Sequence, residues 1–323
     1  MPDTIHLDAP AKVNLALAVG PPRPDGLHPI ASWMATVDLC DELLLTRLEE
    51  DRLSRYAILW HDDALRRTDI DWSITSDLAV RAHLAVEQTI GRRLPVQLRL
   101  DKRIPVGGGL GGGSADAAAM IVGLERLFGL SLDAADRHRI AHELGSDVPF
   151  LLDGGSAFVG AVGEVIEPHA DTPSIPMVLA FPETTCPTGP VYAEFDTQSP
   201  GPLREDAVRR LFTPGSAPAP DALFNDLAPP AMRRHPELMD VAATFAGLAE
   251  RPAHLSGSGS TLFVVCDDPM HAEYLARATV EQLGLPAVAA ITRGGPQPIE
   301  TASVESGASN AASANDASPG EAS

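Results

Sequence analysis

Apolar and polar residues alternate strictly over Val96-Gln97-Leu98-Arg99-Leu100, the period of a half-buried strand. Residues 4–20 alternate at first and then turn small and apolar, which predicts one or two strands around Ala11-Lys12-Val13-Asn14. Strand-like runs follow near 33–39, 43–48 and 56–60. Leu78, Val80, Ala82, Leu84, Ala85 and Val86 fall behind Asp77, so a helix over 77–90 with Asp77 as its cap is expected. Further helices are predicted at 114–128, where Ser114 is a good N-cap and Gly129 a stop, and up to Leu144, opened by Ser131-Leu132-Asp133 and stopped by Gly145. Phe158-Val159 and Val165-Ile166 frame a hairpin carrying Gly160 and Gly163.

After Pro168 the chain is proline-rich as far as Pro176, which reads as a boundary. Apolar runs at 177–181 and 262–266 predict buried strands of a second unit, with helices near 203–212, 236–249 and 270–283. From about 301 the chain is Ser, Ala, Gly, Asn and Glu without apolar anchors, a composition expected to stay disordered. The expected organisation is therefore an N-terminal domain over 1–170, a C-terminal domain over 171–300 and a tail over 301–323. Strands and helices are mixed in both halves, an α+β pattern.

Composition narrows the class. A chain of 323 residues with 44% hydrophobic and 21% charged residues suits a globular protein with two cores. No apolar run reaches the roughly 18 residues of a membrane span, and the N-terminus lacks the basic and apolar regions of a signal peptide. Cys40, Cys186 and Cys266 fit no metal spacing, so a reduced, cytoplasmic setting is expected. A formal net charge of −20 argues against nucleic acid as a partner. The chain has only two lysines, Lys12 and Lys102, among many arginines. Genome base composition explains the bias but not the survivors' positions. A compact ammonium at a tight site is not replaceable by a guanidinium, so Lys12 is expected to have a functional role.

The candidate chemistry centres on Pro105-Val106-Gly107-Gly108-Gly109-Leu110-Gly111-Gly112-Gly113-Ser114-Ala115. Bare N–H groups in a glycine loop curl around an anion, and a helix N-terminus behind them adds orphan donors and dipole. A Walker A loop is excluded, because Gly113 is followed by Ser114-Ala115 rather than by Lys-Ser/Thr. Gly107, Gly109 and Gly112 satisfy the dinucleotide fingerprint, yet the acidic residue closing the next strand is missing; Asp133 has the separation but stands at a helix start.

The pattern from Pro105 to Ala118 resembles the second motif of the GHMP kinases, the family of galactokinase, homoserine kinase and mevalonate kinase. Ala9-Pro10-Ala11-Lys12-Val13-Asn14-Leu15 resembles the first motif, and Ser256-Gly257-Ser258-Gly259-Ser260 resembles the third. Asp25-Gly26-Leu27-His28 and His142-Glu143-Leu144-Gly145-Ser146-Asp147-Val148-Pro149-Phe150 are similar to a branch acting on a cytidine-diphospho-methylerythritol in the non-mevalonate route to isoprenoids. The resemblance implies a two-domain fold, with a left-handed βαβ unit in the N-terminal domain and a ferredoxin-like C-terminal domain. It implies transfer of phosphate from ATP, with Mg2+, to the 2-hydroxyl of that alcohol, by a monomer or homodimer.

By the same resemblance Asp147 is the catalytic base and Lys12 the lysine beside it. Residues 105–115 with Ser256, Gly257, Ser258 and Gly259 would hold ATP, and Asn14, Leu27, His28, Thr188 and Tyr192 the alcohol. Taken alone, Asp147 could equally cap the next helix. Ser114 could hold phosphate or magnesium through its hydroxyl, cap its helix, or both. Asp116 reads as a helix-dipole residue, and no set of magnesium ligands is legible. Two positions depart from the branch: Leu27 stands where it has a tyrosine stacked on the cytosine, and Asp77 where an asparagine near the adenine is common. Leu27 keeps open a related small-molecule kinase acting on homoserine, mevalonate or a sugar. A nucleotide-binding module without catalysis is the reading from another class, against which Lys12 and Asp147 stand.

Overall fold

A computed structural model describes residues 3–294, 299 and 301–303. The first half of the chain runs β1 (Thr4–Val19), β2 (Ile30–Arg47), β3 (Arg55–Trp60), α1 (Leu78–Ile90), β4 (Val96–Lys102), α2 (Gly112–Phe128), α3 (Ala134–Leu144), α4 (Val148–Asp153), β5 (Ser156–Ala161) and β6 (Val165–Pro168). The second half runs β7 (Pro176–Ala180), α5 (Thr188–Asp196), α6 (Glu205–Arg209), α7 (Ala228–Arg234), α8 (Pro236–Ala249), β8 (His254–Leu255), β9 (Leu262–Val265), α9 (Pro269–Leu283), β10 (Ala287–Ile291) and β11 (Thr301–Ser303).

One sheet has the order β11-β1-β2-β4-β3, with β5 on β2 and β6 on β5. β3 and β4 are parallel and joined through α1, a βαβ unit. The other sheet has the order β10-β7-β9-β8 and is antiparallel throughout, so β7 to β10 with their helices form the β-α-β-β-α-β arrangement of a ferredoxin-like layer. β1 and β2 are each one long strand rather than several. The helix over 77–90 forms as read, with Asp77 accepting from Ala79 and Val80. Its buried face differs in one respect: Leu84 is 46% exposed while His83 is buried between Tyr56 and the Leu94 carbonyl. A residue with both ring nitrogens paired is buried at little polar cost, whereas the helix turns Leu84 outward. Thr301–Ser303, expected to open the unstructured tail, pair antiparallel with β1, where an edge strand offers unsatisfied backbone groups. The rest of that tail lies outside the described residues.

β1 explains where the site sits. Leu7 and Ala9 belong to the core under α1–α4. Ala11, Val13 and Leu15 instead pack against Met177, Leu179 and Phe263 of the second sheet. Residues two apart normally share a face. The β1–β2 register shifts between Pro10 and Lys12, and a bulge there swaps the faces. Lys12 and Asn14 are thereby turned toward the N-terminal end of α2. A second register shift between Asn14 and Ala16 sends Leu17 and Val19 into a third core with Val178 and Val264. The bulges bury two polar side chains in the otherwise apolar stretch from Ala9 to Val19.

Candidate active site

β4 delivers the chain to the glycine loop and α2 carries it away. Gly111, at φ 69°, is the N-cap of α2, so the helix begins at Gly112. This corrects the expectation that Ser114 caps it: a left-handed glycine takes the cap position three residues earlier, and Ser114 sits within the first turn. Its Oγ lies 3.7 Å from where a Cβ on Gly145 would stand, on the side of the helix that faces Asp147's loop. Ala115 is fully buried in α2, its N–H bonded to the Gly111 carbonyl.

The second glycine loop, between β8 and β9, is seated directly on the first. Thr261 N donates to the Gly108 carbonyl at 3.1 Å, and Ser256 Oγ donates to that of Gly109 at 3.0 Å. A Cβ on Gly109, whose φ is +77°, would fall 2.1 Å from the Ser256 carbonyl oxygen. Only glycine permits that approach. Asn225 fixes the second loop from below, its amide donating to the carbonyls of Leu255 and Gly257 at 2.7 Å each. Gly259 donates back to the Ser256 carbonyl at 2.9 Å, and Ser258 Oγ reaches Thr188 Oγ1 at 3.2 Å.

Lys12 and Asp147 meet where the loops converge. Lys12 Nζ lies 3.4 Å from Asp147 Oδ2, with side-chain exposures of 5% and 25%. Asp147 occupies the N-cap position of α4 but makes no side-chain capping bond, so its carboxylate is free to face the lysine and the cavity. Lys12 Nζ donates to Asn14 Oδ1 at 2.7 Å, and its stem runs beside Gly111, whose missing side chain leaves room for it. A cavity of about 580 Å³ opens here, lined by residues 105–114, Lys12, Asn14, Asp147, Thr188, Tyr192, Gly257 and Ser258. That volume and its few polar groups suit a small-molecule site.

Tyr192, on α5, is half-buried; the loss of solvent around its phenol, with the Asp147 carboxylate adding, pushes it up to about 12, so the hydroxyl keeps its proton. The His28 ring lies against Tyr192 at 4.8 Å and pairs with Asp196 at 2.8 Å. His28 and Leu27 are not on the cavity wall, and Leu27 is 53% exposed. Asp77 and Trp72 are on that wall at its far end, joined by the indole N–H donating to Asp77 Oδ2 at 3.2 Å.

The chain's other lysine has a different task. Lys102 Nζ, at the end of β4, lies 2.5 Å from both Asp41 and Asp116. Asp41 also accepts from the backbone N–H of Arg103 and Ile104. Burial alone would lower Lys102, but the two carboxylates outweigh it and hold its pKa up. Asp116, within α2, is raised by its complete burial despite Lys102 beside it. Asp116 is therefore not the helix-dipole residue expected; the helix starts early enough to place it beyond the first turn and inward. The triad ties β2, β4 and α2 together on both sides of the glycine loop. Sequence reading missed it, as it missed Asn225 and Arg66, whose guanidinium reaches the Glu183 and Thr184 carbonyls across the cleft. Their partners lie far along the chain, and no local pattern marks them.

The sequence model of the GHMP kinase N-terminal domain matches residues 77–155, from the cap of α1 through the glycine loop and Asp147. A 4-diphosphocytidyl-2-C-methyl-D-erythritol kinase of Nocardioides sp. is 37% identical over 290 residues, covering 87% of this chain and 95% of the relative. The kinase of the same name from Acaryochloris marina is 32% identical, covering 87% and 92%. A crystal structure of 4-(cytidine 5'-diphospho)-2C-methyl-D-erythritol kinase superposes with a TM-score of 0.70 at 33% identity, over 90% of this chain and the whole of that one. With identity of 32–37% over most of both chains, this chain belongs to the GHMP kinase family, among its 4-diphosphocytidyl-2-C-methyl-D-erythritol kinases.

Proposed function

We propose that this chain transfers the γ-phosphate of ATP to the 2-hydroxyl of 4-diphosphocytidyl-2-C-methyl-D-erythritol, with Asp147 as the general base. The observation that carries this reading is the meeting of Lys12, Asp147 and the two glycine loops in one cavity. In the step, Asp147 takes the proton of the hydroxyl as its oxygen forms a bond to the γ-phosphorus. The bond from that phosphorus to the β-bridging oxygen breaks, ADP leaves, and Asp147 returns the proton to solvent. Lys12, fixed by Asn14, offsets the negative charge that develops between attacking oxygen and phosphate. The backbone N–H groups of residues 107–113 and the amino end of α2 cradle the phosphates.

Magnesium fits this arrangement as a companion of ATP rather than as a resident ion. Mg2+ commonly binds through substrate phosphates, water and one or two protein oxygens, and Ser114 Oγ at the amino end of α2 would supply one. When bound, it neutralises charge on the transferring phosphates. Among the described residues the one cluster of His and carboxylates with metal-like spacing is His6, Asp8 and Glu42, none of which lines the cavity.

His28 and Tyr192, whose rings lie 4.8 Å apart in a tilted arrangement, would receive the cytosine, and Thr188 and Asn14 the alcohol. A cytoplasmic location is supported by three free, buried cysteines, and no described helix is long and apolar enough to cross a membrane. The test is ATP-dependent phosphorylation across a panel of cytidine-diphospho-methylerythritol, homoserine, mevalonate and galactose. Turnover confined to the first supports the reading. Preference for any other alcohol overturns the substrate assignment, and no turnover with any overturns the kinase reading.

A further inference from the structure

Lys12 owes its place to a chain of hydrogen bonds that runs away from the cavity and ends in the sheet. Lys12 Nζ donates to Asn14 Oδ1 at 2.7 Å, Asn14 Nδ2 donates to Ser32 Oγ at 2.8 Å, and Ser32 Oγ donates to the Ala16 carbonyl at 2.8 Å. All three polar side chains are buried, Ser32 completely. The direction of the chain is fixed at both ends. An ammonium has donors only, so the Asn14 atom facing it must be the carbonyl oxygen. A backbone carbonyl accepts only, so the single hydroxyl hydrogen of Ser32 is committed to Ala16, and Ser32 can do nothing but accept from Asn14.

An asparagine amide is nearly symmetric in shape, and a half-turn about its last bond exchanges its oxygen and nitrogen. In the reversed state the NH2 group would point at the Lys12 ammonium, donor against donor, and the lysine would lose its acceptor beside Asp147. The Ala16–Ser32 end of the chain opposes that reversal. We propose that Ser32 is a positioning residue for phosphoryl transfer: it locks the amide of Asn14 with its oxygen toward Lys12, and so holds the ammonium at the reacting centre. This rests on the catalytic reading of Lys12 and Asp147 given above. Ser32 itself does not line the cavity and reaches the site only through Asn14.

The two-lysine composition supplies a readout independent of turnover. A sample labelled with 15N at lysine side chains gives signals from Lys12 and Lys102 only, and Lys102, held by Asp41 and Asp116, serves as an internal reference. Ser32→Ala is expected to move the Lys12 Nζ signal and leave that of Lys102 in place. It should also lower kcat by about five- to tenfold, the worth of one buried hydrogen bond, with the KM for ATP unchanged. Ser32→Thr, which keeps the hydroxyl, should restore both. Ser32→Cys, close in size but a weak acceptor, should act in the same direction as Ala with less risk to folding.

The control for a purely structural loss is Trp33→Phe, which removes the Trp33–Ser156 hydrogen bond from the next residue of the same strand. It should lower Tm yet change neither kcat nor the Lys12 signal. An unmoved Lys12 signal in Ser32→Ala and Ser32→Cys overturns the proposal, whatever happens to kcat. So does a shift equally present in Trp33→Phe. If the wild-type protein phosphorylates no alcohol of the panel, the function reading fails by itself, and the Lys12 signal still decides the role of Ser32.

Discussion

Gly109→Ala tests whether the two glycine loops work as one unit. Two costs arise at this position and its neighbours separate them. The first is conformational: a side chain at φ +77° costs roughly 1–2 kcal/mol. The second is contact: the new Cβ would lie 2.1 Å from the Ser256 carbonyl oxygen and 3.1 Å from Gly259 N, so the second loop must recede by close to an ångström. Gly107→Ala carries the first cost alone, with φ +70° and nothing within 4 Å of its Cβ. Gly108→Ala meets mainly the Thr261 hydroxyl at 2.9 Å, a side chain able to turn away.

Strain present in both free and bound protein lowers stability rather than affinity. Gly107→Ala should therefore lose roughly 1–2 kcal/mol in denaturant unfolding with nearly normal ATP binding. Gly109→Ala should show that loss and, in addition, a fall in kcat of about 100-fold, since an ångström of misplacement at a reacting centre costs on that order. Calorimetric ATP titration, steady-state kinetics and urea unfolding of the three variants decide it. Equal kcat in Gly109→Ala and Gly107→Ala would refute the idea that loop–loop contact positions the phosphates.

Leu27→Tyr should lower the KM for the cytidine-diphosphate alcohol by about five- to tenfold, the low end of base–aromatic stacking at an exposed position, and leave the KM for ATP alone; an unchanged KM would mean the base is held elsewhere. His83 predicts a pH dependence of stability. Burial lowers its pKa below the ordinary 6.5, so the folded state keeps the ring neutral while the unfolded chain takes up a proton. The contribution is complete above pH 6.5 and is lost as pH falls below it, by at most about 1.4 kcal/mol per pH unit. His83→Gln should flatten the slope of Tm between neutral and mildly acidic pH, and parallel slopes would count against the assignment.

Much of this arrangement was legible because its determinants are local. The strict alternation of 96–100 became β4 with the same face buried, and Asp77 caps α1 as its position suggests. The motifs at 9–15, 105–119 and 256–260 could be read because each is a run of backbone whose chemistry lies in neighbouring residues. What escaped depends on distant partners. The bulge that turns Lys12 toward the cavity depends on pairing with β2, and the Asp41–Lys102–Asp116 triad joins three separate elements. The cap of α2 was misplaced by three residues, nearly one turn of helix, for a simpler reason. Cap preference favours serine over glycine, but the left-handed conformation required at Gly111 starts the helix earlier. Ser32 carries no signal at all in sequence; it becomes meaningful only when β2 sets it behind Asn14.

The central claim is that Asp147 takes the proton of the attacking hydroxyl. Asp147→Asn keeps the shape and removes the base, so a rapid-quench single-turnover measurement with saturating ATP and 4-diphosphocytidyl-2-C-methyl-D-erythritol reports on that step directly. The account predicts a rate of phosphate transfer lower by about 10²–10⁴, with ATP affinity unchanged. A transfer rate close to wild type would contradict it.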